Sequence, residues 1–332
     1  MALNRDQLKG VFAPVVTPFQ DDHLRLDWLE ENLARMAQTA LAGYLALGTN
    51  GEFKSLTESE KLQVVQVFVR LKGDKLLMVG TGCESTRQTI DLTQRMADLG
   101  ADCASIITPH YFASQMDDAA LIGFYQHVAD QSPIPVLPYN IPRLAAGVAI
   151  STNVACALAS HPNIWGMKDS GGVSLFAFLV ALAAVQQPLP SPLAGEGQGV
   201  RGQCGESTTL LSDGRLSPTR FAVLAGSAEY FLPGLLMGAC GGIISLANCF
   251  PEVCCRLYSE ATCGNLDAAR QLHAQIHQAT RAVSGKHGVA GVKAAMDLAG
   301  YRGGDPRRPL RPLTDQQRET MRSKLRELKL LE

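Results

Sequence analysis

Ile164-Trp165-Gly166-Met167-Lys168-Asp169-Ser170-Gly171-Gly172 is a short apolar run that ends on a lysine and then breaks into polar and glycine residues. An amine at the end of an apolar run is suited to imine chemistry, because burial favours the neutral amine and only the neutral amine attacks a carbonyl. A lone lysine is ordinarily a solvated surface charge. Three further apolar runs, however, end in Gly48-Thr49-Asn50-Gly51-Glu52, Thr108-Pro109-His110-Tyr111 and Pro138-Tyr139-Asn140-Ile141-Pro142. Four such ends can line one pocket.

Working outward, the whole chain alternates short apolar runs with longer amphipathic ones. The spacing predicts eight strands: Val11 to Pro18, Gly43 to Leu47, Leu76 to Gly80, Ala104 to Thr108, Pro135 to Tyr139, Ile164 to Lys168, Ala222 to Ala225 and Gly242 to Ala247. Helices begin where capping chemistry allows. Thr57-Glu58-Ser59-Glu60 reads as a capping box opening a helix through Arg70, and Ser85-Thr86 opens one through Leu99, closed by Gly100. Eightfold βα alternation implies a closed (β/α)8 TIM barrel, with the motifs above at the strand C-terminal ends where such barrels place their sites. Asp267 to Ser284, Val289 to Ala299 and Asp315 to Leu331 read as additional C-terminal helices. The expected organisation is a catalytic barrel over 1–250, then the eighth barrel helix and a helical extension over 251–332.

One stretch breaks the pattern. Residues 188–220, with Pro188-Leu189-Pro190-Ser191-Pro192 and Gly195-Glu196-Gly197-Gln198-Gly199, have no period and little to bury, and read as a disordered insertion between the sixth helix and the seventh strand. No Gly-Lys-Ser/Thr follows its glycines, so it is not a phosphate loop.

Composition narrows the function. The 332 residues are nearly half hydrophobic and carry a net charge of −1, which suits a large core and not a nucleic-acid groove. Arg302, Arg307 and Arg308 read as a solvated C-terminal surface. The first ten residues hold neither a hydrophobic signal core nor an arginine-rich transit pattern, so a cytoplasmic location is expected, with no membrane partner. The nine cysteines form no CxxC pair and read as buried, reduced thiols, while Cys254 and Cys255 diverge on a helix. His273 and His277 share a helical face without a third ligand and read as solvated. Neither a metal nor a cofactor is implied.

Several segments together resemble a known family: Pro14-Val15-Val16-Thr17-Pro18-Phe19, the Gly48–Glu52 motif, Pro138-Tyr139-Asn140, Gly166–Gly172 and Gly226-Ser227-Ala228. They are similar to the dihydrodipicolinate synthase/N-acetylneuraminate lyase superfamily of pyruvate-dependent class I aldolases. Within it, Gly82-Cys83-Glu84-Ser85-Thr86, His161-Pro162-Asn163-Ile164, Ser245-Leu246-Ala247-Asn248 and Gly300-Tyr301-Arg302-Gly303-Gly304 are most similar to 4-hydroxy-2-oxoglutarate aldolase.

The residues themselves suggest a reaction: neutral Lys168 attacks the ketone of a 2-oxo acid, and the resulting imine acts as an electron sink for carbon–carbon cleavage. Tyr139 is the candidate for moving protons at the carbinolamine and the aldol hydroxyl. The resemblance adds Thr49 and Tyr111 as a hydroxyl relay, with Tyr111 entering from an adjacent subunit of a homodimer or homotetramer. It also implies substrate contacts at Thr49, Asn50, Gly51, Ser170 and Ile244. Ser170 equally fits a helix cap. Asn50 replaces a second threonine usual in dihydrodipicolinate synthases, and Arg143 stands one position earlier than their arginine, so it either binds a carboxylate or faces solvent. Cleavage of 4-hydroxy-2-oxoglutarate to pyruvate and glyoxylate is therefore the leading expectation. The alternatives are 4-hydroxy-tetrahydrodipicolinate synthase, a 2-keto-3-deoxy sugar-acid aldolase or dehydratase, and a non-catalytic barrel that binds a 2-oxo acid.

Overall fold

The structure, a computed structural model, describes residues 3–186 and 221–332. Eight parallel strands close into a barrel: β1 (Gly10–Pro14), β2 (Gly43–Ala46), β3 (Leu76–Gly80), β4 (Cys103–Ile107), β5 (Val136–Asn140), β6 (Gly166–Asp169), β7 (Ala222–Ala225) and β8 (Gly241–Ile243). Closure runs through Gly10↔Gly241, Val11↔Gly242 and Phe12↔Ile243. The expected TIM barrel is the observed fold. Its helices are α1 (Leu26–Ala37), α2 (Glu58–Leu71), α3 (Thr86–Leu99), α4 (Asp118–Gln131), α5 (Thr152–Ala159), α6 (Ser174–Gln186), α7 (Phe231–Leu236) and α8 (Pro251–Thr262). The capping box at Thr57 and Glu60 is formed, and Gly100 closes α3 at φ 106°.

Strands β1 and β8 are shorter than their apolar runs. Past the end of β1, Asn248 supplies the backbone's partners: its Oδ1 accepts from the Val16 amide at 3.1 Å, and its Nδ2 donates to the Pro14 carbonyl at 3.0 Å. Ser245–Asn248 winds into a 3-10 turn there.

The strands alternate cleanly between two environments. Phe12, Leu45, Met78, Cys103, Leu137, Leu224 and Ile243 fill the barrel interior as one apolar cluster, while Val11, Tyr44, Leu77, Ala104, Val136, Met167 and Val223 face the helices in another. Side chains on a strand alternate with period two, so the interior register continues toward the C-terminal ends at Pro14, Leu47, Gly80, Ser105, Tyr139, Lys168, Gly226 and Ser245. That parity positions the site.

Beyond the barrel, α9 (Leu266–Thr280), a π turn at Arg281–Gly285, α10 (Lys286–Leu298) and α11 (Asp315–Glu327) form the C-terminal extension. The break expected near Ser284 is instead a π turn followed by Gly288 at φ 55° and ψ −140°. Two surface expectations need correction. Arg302 and Arg308 are exposed, but the Arg307 side chain is only 13% exposed: its two terminal nitrogens make four hydrogen bonds to Glu60 and to the Ser55 and Asp22 carbonyls, and its Nε lies 3.3 Å from Asp22 Oδ1. His273 and His277 do share a face, with ring centroids 6.3 Å apart, yet both are half-buried and burial lowers the pKa of His273. The cysteines among the described residues are free thiols, with Cys103, Cys249, Cys254 and Cys255 buried. The described residues contain no helix long and apolar enough to cross a membrane and no cluster of three or more metal-ligating side chains. Residues 188–220, read above as an insertion, lie outside the described residues.

Candidate active site

A cavity of about 760 Å³ opens at the C-terminal end of the barrel. Its floor is the interior register just described: Pro14, Leu47, Gly80, Ser105, Tyr139, Lys168, Gly226 and Ser245 all line it. Tyr139 on β5 and Lys168 on β6 are register partners, and both are almost fully buried, at 6% and 4% exposure. The Lys168 Nζ lies 4.1 Å from the centroid of the Tyr139 ring. A strand pair thus brings amine and phenol together.

The next register pair, Asn140↔Asp169, faces the other way and fixes the first. Asn140 Nδ2 donates to Asp169 Oδ1 at 2.6 Å, and the Ile150 amide donates to Asn140 Oδ1 at 2.9 Å. The Gly171 amide and the Ser174 hydroxyl complete the carboxylate's partners. Burial pushes the Asp169 carboxyl up, and these three donors pull against it. The Asn140–Asp169 bond at its centre is buried, and the network ties the strand ends that carry Tyr139 and Lys168 to each other and to the start of α6.

Above the floor, the β2–α2 loop carries the Gly48–Glu52 motif. Leu47 and Glu52 both take left-handed backbone conformations, at φ 53°, and turn the loop over the cavity. Two glycines make room: a Cβ on Gly80 would meet the Leu47 carbonyl at 2.1 Å, and one on Gly51 would meet the Val15 carbonyl at 3.2 Å. Thr17 Oγ1 donates to the Gly51 carbonyl at 2.8 Å. Asn50 is buried, and its Nδ2 donates to Ser245 Oγ at 2.9 Å, while Thr49 lines the cavity at its open side.

The remaining expected residues divide. Ser170 lines the cavity with its Oγ buried and without a hydrogen-bond partner among the described residues, so it does not cap a helix. A Cβ on Gly226 would fall 2.0 Å from that hydroxyl, which explains glycine there. Arg143 is exposed and lies on the cavity rim. Ile244 is fully buried with its side chain in the helix-facing cluster, because it has the outward parity, and Ser245 takes the inward place. Tyr111 is 78% exposed and does not line the cavity of its own chain; its ring meets Phe112 edge-on at 5.1 Å. Sequence reading missed Ser245 and Glu52 as lining residues. The period-two register, counted on from Ile243, was the signal that could have found Ser245.

The site is thus a closed parallel barrel's C-terminal end with an inward lysine, a tyrosine ring against its amine and a glycine-rich polar loop above. A sequence profile of the dihydrodipicolinate synthetase family matches residues 7–183 and 198–328, and the chain belongs to that family as one of its lyases. It is 30% identical over 319 residues to a 4-hydroxy-tetrahydrodipicolinate synthase of Methanothrix thermoacetophila, covering 96% of each chain. It is also 30% identical over 313 residues to a probable mitochondrial 4-hydroxy-2-oxoglutarate aldolase of Emericella nidulans, covering 92% of this chain and 90% of the other. Among solved structures, the chloride-inhibited dihydrodipicolinate synthase of Acinetobacter baumannii complexed with pyruvate superposes with a TM-score of 0.77 at 27% identity, covering 97% of this chain and 99% of that one.

Proposed function

We propose that this chain is a class I aldolase that cleaves 4-hydroxy-2-oxoglutarate, or a close 2-oxo-acid aldol, to pyruvate and glyoxylate through an imine on Lys168. The observation that carries the reading is the buried Lys168 amine at the cavity floor, 4.1 Å from the Tyr139 ring centroid and beneath the Thr49–Gly51 loop. Lys168 adds to C2 of the substrate, and loss of water gives the imine. Removal of the C4 hydroxyl proton breaks the C3–C4 bond, releasing glyoxylate and leaving an enamine. Protonation at C3 and hydrolysis return pyruvate and the free amine, so the water lost at the start is regained. Tyr139 handles protons at the carbinolamine and the aldol hydroxyl, with Thr49 and Tyr111 linking it to solvent. The 1-carboxylate is held by Thr49, Asn50 and the Gly51 backbone, and Ser170 meets the distal end. Ile244, with its side chain turned away, contributes main chain only. No metal or cofactor enters these steps.

The active unit is a homodimer or a homotetramer in which Tyr111 completes a neighbour's cavity. Its exposure, together with that of Phe112 at 63%, supports this. A second reading is condensation of pyruvate with another aldehyde, as in 4-hydroxy-tetrahydrodipicolinate synthase, supported by the 30% identity to such a synthase; Arg143 on the rim suits a distal carboxylate in either reading. Borohydride trapping with pyruvate, peptide mapping and a 4-hydroxy-2-oxoglutarate cleavage assay on one preparation test these readings. A pyruvyl adduct on Lys168 with glyoxylate released is expected. An adduct without cleavage would retain the imine class and move the assignment to the second reading. Folded protein without an adduct would leave only a 2-oxo-acid-binding barrel.

A further inference from the structure

The described residues contain a second deeply buried lysine. Lys293, on α10, has a fully buried side chain whose Nζ lies 2.6 Å from Glu52 Oε1, and the Glu52 side chain is 2% exposed. The pair joins the last residue of the Gly48–Glu52 motif to the C-terminal extension. Lys293 Nζ also donates to the Asp305 carbonyl at 2.8 Å, and the Arg307 amide donates to Glu52 Oε2 at 2.8 Å. The Phe19 ring covers both cations, 4.5 Å from Lys293 Nζ and 4.2 Å from Arg307 Cζ. Arg307 then reaches the Ser55 carbonyl at 2.9 Å and both Glu60 oxygens at 2.7 Å. Thr17 and Ser245 hold Gly51 and Asn50 from the barrel ends, and residues 293–307 hold the outgoing end of the same loop at Glu52 and Ser55.

Glu52 needs such a hold. Its backbone is left-handed at φ 53° and ψ 39°, a conformation costly for a residue with a Cβ and retained only where surrounding contacts impose it. A buried carboxylate deprived of its cation turns toward water or takes up a proton, and either change releases the turn beside Gly51. Burial lowers the pKa of Lys293 and the Glu52 charge opposes that shift, as expected of two groups that stay inside only together.

We infer that the Glu52–Lys293 pair is a positioning device through which the C-terminal extension sets the affinity of the Thr49–Gly51 loop for the substrate's 1-carboxylate. The inference rests on the reading of that loop as the carboxylate cradle. It predicts a change in substrate affinity beyond any change in stability. A buried ion pair with a purely architectural role would alter stability alone.

The test measures borohydride-trapped adduct on Lys168 against pyruvate concentration in the full-length parent, Lys293→Met and Glu52→Gln, with thermal melts alongside. Both variants are expected to need about tenfold more pyruvate for half-maximal adduct while keeping the parental plateau, since small displacements of a binding group weaken capture without removing the nucleophile. A folded variant with parental half-saturation overturns the proposal, however far its melting temperature falls. If Lys293→Met does not fold, Glu52→Gln decides the matter, because it preserves the side-chain shape and an acceptor for the Arg307 amide. A parent that forms no adduct removes the carboxylate-cradle reading and this proposal together; a parental adduct with unshifted variants removes the proposal alone.

Discussion

At the residue scale the proposed chemistry depends on one strand pairing. Tyr139 and Lys168 stand opposite each other across β5 and β6, and the amine has the ring face as its neighbour. Lys168→Ala is expected to abolish both turnover and the pyruvyl adduct, because no other residue at the cavity floor carries an amine. Tyr139→Phe retains the ring beneath the amine and removes only the hydroxyl. It should lower kcat by roughly 10²- to 10³-fold, the usual effect of losing a positioned acid–base group, while an adduct still forms slowly. Parental activity in Tyr139→Phe would take the phenol out of the mechanism. Both residues were legible in the sequence because each ends an apolar run. Ser245 was not, since its apolar run continues beyond the strand and only the parity of β8 shows which residue turns inward.

At the element scale, the strands and their order were readable because both depend on local periodicity. The ties between the C-terminal extension and the β2–α2 region were not, because no local pattern connects residues more than 240 positions apart. Arg307 shows this best: within its own segment it reads as a solvated charge, and its partners come from Asp22, Ser55 and Glu60. Two hydrogen bonds from its guanidinium hold the Glu60 carboxyl at about 2, far below its ordinary 4.5. A carboxyl with a depressed folded-state pKa contributes stability that is complete above its ordinary value and is lost as pH falls toward the folded one. Thermal melts of the parent and Glu60→Gln should therefore differ by on the order of 1–2 kcal/mol near neutral pH, discounted for partial exposure. The gap should close between about pH 4.5 and pH 2. A gap that stays constant across that window would show that the pair does not act through its charge.

At the scale of the whole molecule, one chain does not bring all the expected hydroxyls together. Thr49 and Tyr139 share the cavity, whereas Tyr111 projects outward from the neighbouring loop with its hydroxyl away from that cavity. Its backbone is nonetheless held firmly: the amides of His110 and Tyr111 both donate to Glu84 Oε2, at 2.8 and 2.9 Å. A fixed backbone carrying an exposed aromatic suits insertion into a second copy, and a two-fold arrangement would make the exchange reciprocal. Mixed oligomers test this directly. Lys168→Ala and Tyr111→Phe should each be strongly impaired alone. When the two are unfolded and refolded together, a mixed dimer pairs an intact Lys168 with an intact Tyr111 in one of its two cavities. Random association in equal amounts should then restore about a quarter of the parental sites, because half the dimers are mixed and each gains one complete cavity. Activity equal to the sum of the two variants, in a preparation shown to contain mixed dimers, would place Tyr111 outside any neighbour's site and leave Tyr139 and Thr49 to move the protons within one chain.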